Sequence, residues 1–293
     1  MNPFHTSNHM YVSEVTLMVK NKEKSIKFYT EVLGMKVIRD NNHEVTLGTH
    51  SNHELVHLIE NPNALPKLRT TGLYHFALLF KNRGDLGQIL RHFITIRQGI
   101  VGGADHGISE AIYLEDPDGN GIELAWDRPD YKFKYLPNGD IDLLSDNTAL
   151  DYRNLLEHST LGDFKKIPDD TIMGHLHLHV SDLNKANHFF IDSLGFQSMF
   201  YYSEQAHFIS DLNYHHHLAF NLWNGKNIPN NPNDAIGLKS YKLMIPSDRY
   251  DALIKRFTTQ NIPVFTTPNA YYIIDPNGVK VILEKHIEPT TTN

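Results

Sequence analysis

His106-Gly-Ile-Ser-Glu-Ala-Ile-Tyr113-Leu-Glu-Asp116-Pro117-Asp118-Gly119-Asn-Gly-Ile-Glu123 reads as two apolar strands folded about a turn. Pro117 fixes φ, Gly119 and Asn120 accept positive φ, and Asp116 and Asp118 can hydrogen-bond nearby backbone amides, so Asp116 to Asn120 is a hairpin turn. Glu123 alternates with apolar Ile122 and Leu124, which directs it to the opposite face of its strand. Asp275-Pro-Asn-Gly repeats the turn near the far end of the chain, and Glu284 follows it as Glu123 follows the first.

Working outward from the two turns, one pattern returns four times: an alternating apolar strand, a helix, then shorter strands. The first copy opens at Val12-Ser-Glu-Val-Thr-Leu-Met-Val19 and continues into a helix in which Ile26, Tyr29 and Leu33 keep helical spacing and Gly34 is the stop. The third opens at Met173-Gly-His-Leu-His-Leu-His-Val180, with Ser181 or Asp182 as helix N-cap. Copies two and four open at Gly72-Leu-Tyr-His-Phe-Ala-Leu-Leu79 and Gly237-Leu-Lys-Ser-Tyr-Lys-Leu-Met-Ile245. A unit of about 50 residues is too small to stand alone, so the copies should pair edge to edge and curl around shared space. The expected fold is α+β: four βαβββ modules, at 10–65, 70–130, 171–225 and 235–288, paired into two open, curved-sheet barrels. A polar connector over 131–170, with a short helix near Leu150 to Glu157, crosses between units.

Composition narrows the function. In 293 residues with 40% hydrophobic and 11% aromatic content there is ample material for a core. No apolar run of about 18 residues occurs and the first residues lack a signal-peptide pattern, so neither membrane nor export is expected and a cytoplasmic placement follows. A net charge of -7 without a basic stripe argues against nucleic acid. The absence of cysteine removes disulfides, thiolate chemistry and Cys-ligated metals, so redox work would need a metal or bound cofactor. The 19 histidines are the oddity. Tracts such as His43, His50, His53 and His57 lie among polar residues and are expected to be solvated.

The pairing of modules decides the chemistry. Aligned on their opening strands, the copies place Glu14, His75, His175 and Ser240 at equivalent positions, and the closing strands add Glu60, Glu123, the His215-His216-His217 neighbourhood and Glu284. If sequence neighbours pair, the sets are Glu14, His75, Glu123 and His175, Ser240, Glu284, and neither suits iron. If modules 2 and 3 pair, and 1 and 4 form the other barrel, then His75, Glu123 and His175 converge as a two-histidine, one-carboxylate set whose open positions suit non-haem Fe(II) and oxygen. The nested pairing is therefore expected, with the outer barrel structural. His177 and His179 share the strand face of His175, as pocket residues or as packed histidines.

These segments, together with Tyr214-His-His-His-Leu-Ala-Phe-Asn-Leu-Trp223, resemble the extradiol ring-cleaving dioxygenases of the vicinal oxygen chelate superfamily, which also holds glyoxalase I and the bleomycin-resistance proteins. The likeness covers nearly the whole chain and is strongest to the four-module, bacillus-type catechol 2,3-dioxygenases; Ala104 is the one departure from the signature around His106. It implies His75, Glu123 and His175 as Fe(II) ligands, Tyr113 and His106 as contacts of the substrate hydroxyls, His216 as the acid–base catalyst, and a small aromatic diol plus O₂ as substrates, in aromatic hydrocarbon catabolism. Mn, Zn or Ni could replace iron in a purified sample. Strand alternation sends His216 one way and His215 and His217 the other, so only one parity can face the metal.

Two other readings stand beside this one. A glyoxalase-type lyase or thiol transferase would bind Zn or Ni through four ligands, His216 among them. A non-catalytic small-molecule binding or resistance protein would use the curved sheet without metal. The sequence is compatible with a homo-oligomer.

Overall fold

The computed structural model describes residues 2–159, 162–267 and 270–286. Residues 160 and 161 of the expected connector, and 268, 269, 287 and 288 of the expected fourth module, lie outside the described residues.

Each repeat is a strand, a helix and three further strands. The first comprises β1 (Tyr11–Val19), α1 (Lys22–Lys27), β2 (Lys36–Asn41), β3 (Glu44–Gly48) and β4 (Glu54–Glu60). The second comprises β5 (Gly72–Phe80), α2 (Arg83–Ile96), β6 (Gly102–Asp105), β7 (Ser109–Glu115) and β8 (Gly121–Asp127). The connector adds β9 (Thr148–Ala149) and α3 (Tyr152–Glu157). The third repeat comprises β10 (Ile172–His179), α4 (Leu183–Asn187), β11 (Gln197–Tyr202), β12 (Ala206–Ser210) and β13 (Leu218–Asn221). The fourth comprises β14 (Gly237–Ile245), α5 (Ser247–Thr259), β15 (Phe265–Thr266), β16 (Tyr271–Ile274) and β17 (Lys280–Lys285).

The repeats pair in the nested order. One sheet runs β15-β16-β17-β14-β1-β4-β3-β2 and the other β11-β12-β13-β10-β5-β8-β7-β6-β9. At the middle of each, two opening strands run antiparallel, β1 on β14 and β5 on β10, each flanked in parallel by the closing strand of its own repeat. Parallel pairing within a repeat requires a crossover, and the helix supplies it. In α2 the residues Leu86, Ile89, Leu90 and Phe93, spaced three and four apart, are buried against the sheet.

The short helices α1 and α4 are capped as their sequences dictate: Asn21 accepts from Lys24 N, and Asp182 from Asn184 N and Lys185 N. Both then widen into π-helical turns, Phe28–Val32 and His188–Ser193, which 3.6-residue spacing does not foresee. The turn at Asp116 knits the two sheets together. Its Oδ1 accepts from the amides of Asp118 and Asn120, its Oδ2 accepts from the hydroxyl of fully buried Tyr29 at 3.1 Å, and Asp118 Oδ2 accepts from Lys20 N.

Two bulges interrupt the β5–β10 pair. Met173 faces Leu78 but His175 faces Ala77, leaving Gly174 as an extra residue; His75 faces His177 but Leu73 faces Leu178, leaving Tyr74 as another. A bulge re-aims the side chains beside it and steepens the local twist. Both stand next to a histidine of the candidate site.

Candidate metal centre

His75 on β5, Glu123 on β8 and His175 on β10 meet at one point. Glu123 Oε2 lies 3.0 Å from His75 Nε2 and 3.1 Å from His175 Nε2, and the two Nε2 atoms are 3.2 Å apart. All three side chains are buried. Local structure accounts for the meeting. Glu123 stands beside Ala77, and His75 stands beside Gly121, whose missing side chain makes room: a Cβ there would lie 2.1 Å from Tyr74 O and 3.2 Å from His75 Cβ.

Burial pushes the Glu123 carboxyl up, but ion pairing and hydrogen bonding with His175 and His75 together outweigh it and hold the group well below the usual carboxylate range. Burial lowers His75 despite the carboxylate beside it. The donor set fits a divalent cation. Three lone-pair donors at the corners of a buried triangle cannot all be satisfied by one proton, whereas one cation can satisfy all three. Bonds of about 2.1 Å at right angles place neighbouring donors about 3.0 Å apart, against about 3.4 Å in a tetrahedron, so the observed triangle suits three adjacent octahedral corners. Neither ring nitrogen of His216 joins this convergent group.

The other expected residues surround the triangle. Tyr113 lies opposite Glu123 in the β7–β8 pair, its ring 5.7 Å from that of His75, and its hydroxyl shares a 2.9 Å hydrogen bond with His106 Nε2. His106 Nδ1 meets Asn147 Oδ1 at 3.0 Å, just before β9, so the connector holds this loop as well as crossing between repeats. Burial raises the Tyr113 hydroxyl well above the usual phenol range, helped by the Glu123 carboxylate.

The three histidines precede β13 rather than lie on it, so strand alternation does not set their directions, and His215 stays in contact with His216. The ring of His216 packs 4.1 Å from that of His175. His217 turns away: its Nδ1 accepts from Asp211 N at 3.1 Å, so its Nε2–H donates to Phe4 O at 2.9 Å. His215 Nε2 lies 3.1 Å from Asp127 Oδ1, and its Nδ1 lies 2.7 Å from His216 Nδ1. A carboxylate can only accept, so His215 Nε2 donates to it; in the neutral ring Nδ1 is then the acceptor, His216 Nδ1–H donates to it, and the His216 Nε2 lone pair is left free. Burial holds His216 well below the ordinary histidine value.

Asp127, Asn147, Phe4 and His5 carried no sequence signal: Asp127 meets His215, Asn147 meets His106, Phe4 O accepts from His217, and His5 Nε2 donates to Gly174 O at 2.8 Å, beside His175. The outer barrel required a correction. His57, expected to be solvated, is half-buried with Nε2 2.6 Å from Glu14 Oε2. Because β4 pairs with β1 as β8 does with β5, His57 rather than Glu60 takes the place of Glu123: it stands beside Thr16, two residues beyond Glu14, as Glu123 stands beside Ala77, two beyond His75. Lys242 Nζ closes this second cluster, 2.7 Å from Glu14 Oε1 and 3.2 Å from Glu284 Oε2. Glu60 instead accepts from Lys22 N, and Ser240 sits across from Thr16.

Comparison with known proteins places this architecture. Residues 11–124 match the family model of the Glyoxalase/Bleomycin resistance protein/Dioxygenase superfamily. A catechol-2,3-dioxygenase of Bacillus subtilis (strain 168) is 38% identical over 283 residues, covering 94% of this chain and 96% of that protein. A biphenyl-2,3-diol 1,2-dioxygenase of Rhodococcus globerulus is 35% identical over 107 residues, 34% of this chain and 55% of that protein. The crystal structure of glyoxalase I from Zea mays shares the fold, with a TM-score of 0.54 at 17% identity over 94% of this chain and 92% of that one. No helix among the described residues is long and apolar enough to cross a membrane. The chain belongs to the glyoxalase/bleomycin resistance protein/dioxygenase superfamily, and within it to the extradiol dioxygenases.

Proposed function

We propose that the chain cleaves a catechol-like ring with O₂ in an Fe(II)-dependent extradiol reaction, with His75, Glu123 and His175 as the iron ligands. The observation that carries this reading is the buried triangle of three donor atoms, 3.0 to 3.2 Å apart, drawn from strands of two repeats. The catechol substrate is supported by the activity named for the Bacillus relative. The three-donor group favours this reading over a four-ligand lyase site, since His216 stays outside it.

When bound by His75, Glu123 and His175, Fe(II) would supply Lewis acidity and the redox chemistry that dioxygen requires. The protein's own groups do the rest. His216, with its Nε2 lone pair free, takes a proton from a ring hydroxyl and later returns it; the Asp127–His215 pair behind it stabilises the transient positive charge. Tyr113 and His106, already hydrogen-bonded to each other, orient the ring oxygens. Burial holds His75 toward the neutral ring and the two histidine contacts hold Glu123 toward the anion, so each has a lone pair for the ion.

Iron-loaded protein given catechol should consume O₂ and develop the visible absorbance of a ring-opened semialdehyde. His75→Ala and Glu123→Ala should lose iron and turnover together. Wild-type protein that binds iron stoichiometrically yet consumes no O₂ with any catechol would overturn the reading, as would full activity in either variant.

A further inference from the structure

His177 stands across from His75 in the β5–β10 pair, 5.0 Å from it ring to ring. Its Nε2 is 2.9 Å from Asn221 Nδ2. The orientation of that amide is fixed by the backbone: Trp223 N donates to Asn221 Oδ1 at 3.0 Å, so the oxygen cannot be exchanged with the nitrogen. His179 Nδ1 approaches the same oxygen at 2.8 Å and reinforces the assignment. Asn221 Nδ2 is therefore the donor, His177 Nε2 the acceptor, and the ring proton of neutral His177 resides on Nδ1. Among the described residues no hydrogen-bond acceptor meets that Nδ1. Against the His177 ring, at 4.9 and 5.4 Å, stand two large aromatic side chains left open to solvent, Tyr74 at 37% and Trp223 at 46% exposure, which meet each other edge to face at 5.2 Å. Tyr74 is the bulge residue beside His75, so the bulge that aims the candidate ligand also delivers this wall.

We infer that Tyr74, His177 and Trp223 form the substituent-reading wall of the substrate site, and that the preferred substrates are aromatic diols whose ring carries an oxygen-bearing substituent, accepted by His177 Nδ1–H. The flat faces of Tyr74 and Trp223 suit a planar ring, and the locked donor rewards an acceptor on it. This inference rests on the diol reading of the site but concerns a different set of residues.

The test is equilibrium binding without oxygen, followed by tryptophan fluorescence, since Trp223 is one of only two tryptophans. Methylcatechol and hydroxymethylcatechol, substituted at ring position 3 or 4, are titrated into metal-loaded wild type and into His177→Phe, which keeps a flat ring but has no donor. Wild type should favour the hydroxymethyl compound of at least one pair roughly tenfold, the net worth of one neutral hydrogen bond, and the variant should bind both members about equally. The same preference in His177→Phe, or none in wild type, overturns the assignment of His177 while leaving the diol reading intact. Failure of every diol to bind wild type sinks both.

Discussion

Replacing Asp127 by Asn exchanges one oxygen for nitrogen at a distance from the three donor atoms, yet it should slow turnover. Asp127 accepts from His215 Nε2 at 3.1 Å, from the Tyr214 hydroxyl at 2.8 Å and from Asn2 Nδ2 at 3.3 Å. Burial raises its carboxyl, but His215 and Tyr214 outweigh that and keep it ionised. An amide in its place has two settings. If its nitrogen faces His215, the proton of that ring must move to Nδ1, His216 must then carry its own proton on Nε2, and the lone pair assigned to catalysis is lost. If its oxygen faces His215, the tautomers survive but the anion that stabilises positive charge on His216 is gone. The cost is the difference between a charge-assisted and a neutral hydrogen bond, or the whole of the former: about 1–3 kcal/mol, roughly 5- to 150-fold in kcat. Steady-state O₂ uptake measures kcat and KM, and metal analysis shows whether iron is retained. The kcat should fall with iron content unchanged; a kcat equal to wild type, or a loss that merely tracks lost iron, would rule out a role for the Asp127–His215 pair.

Two other substitutions probe the scaffold. Gly121→Ala would set a Cβ 2.1 Å from Tyr74 O and force β5 and β8 apart, so urea denaturation should show a loss of about 3 kcal/mol and dialysed protein should retain less metal; Gly102→Ala, with nothing within 4 Å, should change neither. Asp275, in the turn of the fourth repeat, is raised by burial from 3.8 to about 6, against the lowering pull of the Val279 and Asn277 contacts. The folded chain thus holds this proton more tightly than the unfolded chain, so its contribution to stability falls as pH rises from about 4 to about 6 and is level above that. Asp275→Asn keeps an acceptor for both amides; thermal melts should show it stabilised by about 2–3 kcal/mol at pH 7 and little changed at pH 3.5. An equal shift at both pH values would contradict that account.

Much of the fold was legible because it is repetitive: the matching openings at Gly72 and Gly237, and the matching turns at Asp116 and Asp275, mark the same local structure twice. The nested pairing could be reached only through chemistry, since nothing in strand propensity tells β5 to choose β10 over β1. The donor set that argued for it is the one the structure assembles. What stayed hidden is what depends on distant partners. Which histidine of the three faces the site is decided by Asp211 N and Phe4 O, which hold His217 away from it. His57 looked like one polar-tract histidine among several until β4 aligned it beside Glu14. The extra residues Tyr74 and Gly174 follow from strand register, which alternation within a single strand cannot report. Asn221 has the same cause: its orientation is fixed by a backbone amide two residues on, and its effect is felt on another strand.

On this reading one ion is held where β5, β8 and β10 meet. Anomalous diffraction at the iron edge, from crystals of iron-loaded protein grown without oxygen, tests it without reference to activity. A single strong peak bonded to His75 Nε2, Glu123 Oε2 and His175 Nε2 is expected. A peak at Glu14, Glu54 and His57 in the outer barrel, or none between the two imidazoles, would contradict it.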